Sequence, residues 1–135
     1  MAGFLGEIAF KKTFKAKYVG DISHTHDFEM FGKTIDIKSK TCSSEPLMHY
    51  LVSVNSSRMK KLKADIYFFT RVKRDFSKVW LVGWSSADAI GQEKYFKNKG
   101  ESDETGFTLF CSGYHTLIRN TRRPDSLMAT ITGRS

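Results

Sequence analysis

Three carboxylates and one lysine are predicted to lie together on one face of a β-hairpin. Apolar and polar residues alternate on both sides of Gly32-Lys33, and a glycine in the first loop position favours a two-residue type II′ turn. Residues that pair across such a turn share a face of the sheet, so every second side chain points into the core. The other face then carries Asp27, Glu29, Asp36 and Lys38, with Asp27 opposite Lys38.

This polar face has two interpretations. Carboxylate oxygens and water are the ligands that Mg²⁺ prefers, and a bound divalent cation can lower the pKa of a water molecule and stabilise charge on a phosphoryl oxygen. The lysine could then orient the attacking water or neutralise developing charge. Alternation of charged and apolar residues is also typical of a solvated hairpin with ion pairs between its strands. The hairpin alone leaves both interpretations open.

The order of these residues resembles the signature of the PD-(D/E)xK nuclease superfamily, which includes many restriction endonucleases, archaeal-type junction resolvases and phage nucleases. Asp27 matches the aspartate at the start of one strand, and Asp36-Ile37-Lys38 matches the (D/E)-x-K motif of the next. Upstream, Glu7 resembles the glutamate that many members carry on their first helix. The ordered motifs cover about residues 3–40, and a looser similarity extends to about residue 125.

The resemblance implies a restriction-endonuclease-like fold and metal-dependent hydrolysis of phosphodiester bonds in DNA. Lys38 would assist the attacking water, and Glu7 would orient the metal or the lysine. The carboxylates of Asp27 and Asp36 and the backbone carbonyl of Ile37 would bind Mg²⁺ or Mn²⁺. The small size favours a structure-selective or junction-resolving endonuclease of the phage type, with a homodimer as one option.

Size and charge agree with a small DNA-binding protein. A chain of 135 residues with 40% hydrophobic residues and 11 phenylalanines is long enough for one domain, residues 1–135, with a substantial core. Its formal net charge of +8 favours a polyanionic partner. The candidate DNA contacts are five cations that follow the predicted hairpin in the chain: Lys40, Arg58, Lys60, Lys61 and Lys63.

Several other classes of protein are disfavoured. The sequence has no glycine-rich phosphate loop, no nucleophile-elbow motif and no apolar run near 18 residues, and its first residues lack the pattern of a signal peptide. Cys42 and Cys111 show no C-x-x-C spacing, which favours free thiols and a cytoplasmic location. His24-Thr-His26 could supply half of a zinc site, but the remaining ligand candidates are scattered.

The periodicity predicts an α/β domain in which a mixed central sheet is flanked by helices. A first helix over residues 3–14 would bury a stripe formed by Phe4, Leu5, Ile8 and Ala9. The sequence predicts further helices over 56–64 and 87–96, and a short C-terminal segment after Pro124 whose last residues are unstructured. Strands are predicted over 18–22, 28–31, 34–38, 49–54, 65–72, 79–84, 107–112 and 114–118.

Two functions compete with an endonuclease. The first is a non-catalytic nucleic-acid-binding module of the same fold, which would bind DNA but have no cleavage to lose. The second is a basic phage-type assembly protein that docks to an acidic partner, and salt-sensitive retention of DNA would separate it from the other two. Asp21 and Glu29 are further acids that could share a metal site if cleavage occurs.

Overall fold

The computed structural model describes residues 2–20, 23, 26–56, 62–102 and 106–132. Within these residues the helices are Ala2–Phe14 (α1), Ala87–Ile90 (α2) and Leu127–Thr132 (α3). The strands are Lys17–Tyr18 (β1), Phe28–Met30 (β2), Lys33–Cys42 (β3), Leu51–Asn55 (β4), Ile66–Lys73 (β5), Val79–Ser86 (β6), Phe96–Lys97 (β7) and Gly113–Leu117 (β8).

The strands form two sheets. A five-stranded sheet has the order β1-β2-β3-β5-β6, in which β3 and β5 are parallel and the other neighbours antiparallel. A three-stranded antiparallel sheet has the order β4-β8-β7. The chain is therefore an α/β protein with a mixed central sheet, as its periodicity predicts.

Strand β5 lies at the centre of the molecule and is buried along almost its whole length. Phe68 belongs to a core on one face of the sheet, and Phe69 belongs to a second core on the other face. A strand that is buried on both faces needs apolar residues at consecutive positions, which explains the run Ile66-Tyr67-Phe68-Phe69. Burial of one such aromatic side chain contributes about 1.5–3 kcal/mol.

Helix α1 covers the first face of the central sheet. The ring of Phe10 lies 4.9 Å from those of Phe28 and Phe68, measured between centroids. Gly6 lies one turn earlier, and a Cβ atom there would clash with the hydroxyls of Ser39 and Thr70. The predicted apolar stripe is wrong, because the helix approaches the sheet through Gly6 and Phe10 and leaves Phe4 61% exposed.

The second face of the central sheet is covered by the three-stranded sheet together with helix α2. Val52 and Val54 of β4 pack with Tyr67 and Phe69 of β5. Both sheets contribute one apolar face, and this shared core holds them together.

The hairpin exists, but its turn and register differ from the prediction. Its two loop residues are Phe31 and Gly32, with φ angles of 48° and 77°, and two positive φ angles are the mark of a type I′ turn. Phe28 therefore pairs with Ile35 and not with Ile37. The register moves by two residues, so each side chain keeps the face that the alternation predicts.

Other boundaries also differ. The helix predicted over 87–96 ends at Ile90, capped at its start by the Ser86 hydroxyl, and a 3-10 turn and β7 follow. The strand predicted over 107–112 is reduced to one bridge between Thr108 and Ser102. Of the segment predicted over 18–22, Tyr18 belongs to the strand Lys17–Tyr18, and residues 21–22 lie outside the described residues. The C-terminal segment forms α3, whose Leu127 is fully buried in the first core.

The predicted helix over 56–64 lies mostly outside the described residues, and residues 62–64 are not helical. Cys42 and Cys111 are free thiols, as predicted. Across the described ranges no helix has the length and apolar character needed to span a membrane.

Candidate active site

Three secondary-structure elements bring four of the predicted site residues together. Glu7 lies on α1, Asp27 immediately precedes β2, and Asp36 and Lys38 lie on β3. The hairpin register places Asp27 beside Asp36 and not beside Lys38, which corrects the predicted pairing. Asp27 lies between Glu7 and Asp36, close enough for each of these acids to influence its pKa, and we call the three residues the acidic row.

Asp27 is held in place by the backbone of β3. Its Oδ2 atom accepts a hydrogen bond of 2.9 Å from the N–H of Ile37, and its own N–H donates one of 2.9 Å to the carbonyl of Ile35. The Asp27 carboxylate therefore accepts a hydrogen bond from β3 at the point where the backbone pairing between β2 and β3 ends. Its orientation is fixed before any ligand binds.

Burial and neighbouring acids raise the pKa of two members of the acidic row. The pKa of Asp36 is raised to about 6, mainly by burial; the Lys38 ammonium opposes the shift and Asp27 adds to it. The pKa of Asp27 is also raised, first by burial and then by the neighbouring Glu7, while the Ile37 N–H opposes the rise. Crowded carboxylates of this kind favour a shared proton or a bound cation.

Lys38 neutralises one end of the acidic row. Its Nζ atom lies 2.8 Å from Asp36 Oδ2, and its side chain is 39% exposed whereas that of Asp36 is 15% exposed. Both residues share a face of the sheet with Tyr67, which pairs with Asp36 across the parallel strands. Burial and the nearby Asp36 charge raise the pKa of this tyrosine. The ammonium group is therefore close to the acids and accessible from solvent.

Two further candidate metal ligands, Glu29 and His26, contact each other. Glu29 is hydrogen-bonded at 3.2 Å to His26 Nε2, and His26 Nδ1 lies 3.2 Å from the Ser23 hydroxyl. Glu29 therefore does not join the acidic row. Asp21 and His24 lie outside the described residues.

The donor atoms of the acidic row suit a hard divalent cation. Asp27 and Asp36 contribute carboxylate oxygens, which Mg²⁺ and Mn²⁺ prefer, and the two acids are near enough to influence each other's pKa. Within the described part of the chain, no group of three or more His, Cys, Asp and Glu side chains forms a ready-made metal site. Backbone oxygen and water would have to complete the coordination.

The predicted DNA-contacting cations are only partly described. Lys40 is exposed and donates a hydrogen bond of 3.1 Å to the Ser53 hydroxyl on β4. Lys63 is also exposed, whereas Arg58, Lys60 and Lys61 lie outside the described residues. The contact between Lys40 and Ser53 joins the two sheets next to the acidic row.

A buried polar group beside this contact was not predicted. Ser53 Oγ lies 2.7 Å from Nδ1 of His115, which is buried on β8, and 62 positions separate the two residues in sequence. Arg71 on β5 is also buried and donates a hydrogen bond to the carbonyl of Leu51. The alternation along each strand could identify these faces, but only the pairing of β4 with β8 brings Ser53 and His115 together.

The sequence matches no protein-family model, and no curated protein is significantly similar to it.

Proposed function

We propose that this protein is a metal-dependent DNA endonuclease of the PD-(D/E)xK type. The observation that carries the proposal is the acidic row beside Lys38, where Glu7, Asp27 and Asp36 converge from three separate elements. Spacing along the chain did not require Glu7 to approach Asp27, so this contact is independent support for the motif. The mixed sheet with a helix across one face is compatible with a restriction-endonuclease-like core.

Asp27 and Asp36 would hold the Mg²⁺ or Mn²⁺ ion, and the Ile37 carbonyl would be a third ligand as the family resemblance implies. A bound divalent ion of this kind lowers the pKa of a coordinated water and offsets charge on a phosphoryl oxygen. The Ile37 N–H keeps the Asp27 carboxylate oriented, so little reorganisation of the chain is needed on binding. Glu7, which lies close to Asp27, would help to position it.

Lys38 would assist the attacking water. Its ammonium lies at the solvent-facing end of the acidic row, where it can donate a hydrogen bond to water or neutralise charge that develops on the phosphate. The reaction would break one P–O bond of the DNA backbone while water supplies the new oxygen. We expect a cytoplasmic enzyme, with the homodimer as an untested option, that selects DNA by structure.

The test is a cleavage assay on labelled linear duplex, single-stranded and branched DNA, with and without millimolar Mg²⁺ or Mn²⁺. We expect metal-dependent cleavage of at least one substrate. Lys38→Ala should lower the rate by roughly two or more orders of magnitude and leave DNA binding within a few-fold of the parent, because it removes one charge-stabilising group.

Lys33→Ala is the matched control, because Lys33 is an exposed lysine on the same strand that pairs with Met30 at the turn. It should cleave at the parental rate. Cleavage by Lys38→Ala at the parental rate would rule out the proposed chemistry. Salt-sensitive DNA binding without cleavage of any substrate would instead favour the non-catalytic binding module.

A further inference from the structure

A polar cavity lies next to the acidic row, between the two sheets. Its volume is ≈ 220 Å³, and it lies at the carboxyl-terminal halves of β3 and β5, facing β4. A bound water takes about 30 Å³, so the space is large enough for a phosphate group with ordered water. Three cations line it, namely Lys38, Lys40 and Arg71, and no carboxylate among the described residues does so.

Arg71 is the unusual member of this cavity. Its side chain is buried, with the residue 8% exposed, and its hydrogen-bond partner is the neutral carbonyl of Leu51. No carboxylate in the described ranges forms an ion pair with it. Buried charges in proteins are normally paired, since an unpaired one carries a large desolvation cost. Burial accordingly lowers the pKa of the guanidinium.

The residues that line the cavity indicate that an anion could neutralise the Arg71 guanidinium. In the parallel register Lys38 pairs with Phe69 and Lys40 pairs with Arg71, so these three cations lie on one face of two neighbouring strands. Hydroxyl and amide groups of Ser53 and Asn55 line the opposite wall. A guanidinium with amines and hydroxyls around it is the combination that binds phosphate oxygens through charge-assisted hydrogen bonds.

We propose that this cavity binds a phosphate group of the DNA strand, next to the phosphate that is cleaved. We name it the phosphate pocket. Lys38 lines the pocket and also contacts Asp36 of the acidic row, so a strand held in the pocket passes directly beside the candidate metal ligands. The identity of the strand as DNA rests on the proposed function, whereas the recognition of a phosphate group does not.

Inorganic phosphate tests the pocket without DNA and without metal. Titration of the parent protein in the presence of a chelator, followed by NMR of the arginine side-chain N–H groups, should shift the Arg71 signal in a saturable way. Arg71→Lys assigns the signal. Arg71→Met should abolish the thermal stabilisation that phosphate gives, whereas Arg74→Met, a change at an exposed arginine on the same chain segment, should retain it.

Short DNA strands distinguish a backbone phosphate from free phosphate. A series of cleavage-resistant oligonucleotides, each with one neutral methylphosphonate linkage at a different position, should bind about tenfold more weakly when the neutral linkage falls in the pocket, which is the scale of one lost charge-assisted contact. In Arg71→Met that positional effect should disappear. Lys40→Met, at an exposed position, should reduce it.

Two results would overturn the proposal. One is a phosphate titration in which the Arg71 signal stays still while those of exposed arginines move. The other is a methylphosphonate series with no position that depends on Arg71. Either result could occur together with metal-dependent cleavage, which would leave the endonuclease proposal intact. Phosphate binding at Arg71 without cleavage of any DNA would support the pocket and remove the endonuclease.

Discussion

The acidic row and the phosphate pocket lie side by side on one strand pair, yet their charges are opposite. In the acidic row, burial and the neighbouring Asp27 raise the pKa of Asp36 to about 6. In the phosphate pocket, the buried guanidinium of Arg71 donates a hydrogen bond to a neutral carbonyl and forms no ion pair with a carboxylate among the described residues. Each site carries an excess of one charge, and Lys38 lies between them.

Under the two proposals, the acidic row and the phosphate pocket are complementary to two parts of one ligand. A divalent cation would reduce the repulsion between the carboxylates, and a phosphate group would neutralise the buried guanidinium of Arg71. A metal-bound phosphodiester brings both charges at once. The free protein is therefore expected to be less stable than its packing alone would allow, which is common where a site is prepared for charge.

The largest expected effect comes from removal of one member of the acidic row. Asp36→Asn should lower metal-dependent cleavage by about three orders of magnitude, within the range seen when one catalytic group is lost, and DNA binding should change only a few-fold. Cleavage rates and binding affinities measured on the same oligonucleotides check this.

Glu29→Gln is the matched control, because Glu29 is an exposed acid of the same hairpin that contacts His26 instead of the acidic row. It should cleave within about twofold of the parent, as is typical for surface changes away from a site. Equal losses in both variants would show that the hairpin tolerates no change of charge and would remove the special role of Asp36.

Metal binding should stabilise the protein through the acidic row and not through the phosphate pocket. Millimolar Mg²⁺ or Mn²⁺ should raise the free energy of unfolding by about 1–3 kcal/mol at neutral pH, which is the linkage expected when ligand exceeds its Kd by ten- to a hundredfold. The gain should shrink near pH 5, because protons compete for the same carboxylates. Thermal unfolding with and without metal at the two pH values measures it.

Asp36→Asn should lose most of the stabilisation by metal, and Arg71→Met should retain it, since Arg71 lies in the phosphate pocket. A stabilisation that survives Asp36→Asn would place the ion elsewhere.

The pH dependence of stability without metal should come from the acidic row. Because the pKa of Asp36 is raised in the folded protein, from 3.8 to about 6, the folded state binds its proton more tightly than the unfolded chain. The free energy of unfolding should therefore fall as pH rises through this window, by about 2–3 kcal/mol from Asp36. The raised pKa of Asp27 acts in the same direction. Urea unfolding between pH 4 and pH 7 checks the slope.

In Asp36→Asn much of this fall should be absent, and the variant should be more stable than the parent at pH 7. A parent protein whose stability rises steadily over the same interval would contradict the crowding of the acidic row.

The smallest effect concerns the rim of the phosphate pocket. Lys40→Ala should weaken DNA binding a few-fold across sequences and reduce the slope of log affinity against log salt by about one unit, as expected for one lost phosphate contact. Binding measured over a range of salt concentrations gives the slope. Lys33→Ala, at the other end of β3, should leave the slope unchanged.

The faces of the hairpin could be predicted because alternation with a period of two survives a register shift of two residues. The turn could not, since it places the bulky Phe31 at positive φ, a conformation that such residues rarely adopt. The buried face of α1 was also missed, because its closest approach to the sheet occurs at Gly6, which adds nothing to a hydrophobic pattern.

In the candidate site, too, some residues could be predicted from the sequence and others could not. The motif in the hairpin is local, so Asp27, Asp36 and Lys38 could be found from their spacing. Arg71 could not be found in this way, because its burial depends on β4 and the second sheet, which only the fold brings next to it. The three cations Arg58, Lys60 and Lys61 lie outside the described residues, and their contact with DNA stays a prediction.

The parallel pairing of β3 with β5 also bears on the order in which the molecule folds. The hairpin of β2 and β3 closes through two residues, whereas the contact between Ser39 and Thr70 spans 31 positions and the chain between them contributes β4 to the other sheet. Local contacts form faster than distant ones. Asp27 and Asp36 should therefore meet early in folding, and Arg71 should become buried only in the last steps, when the two sheets close on each other.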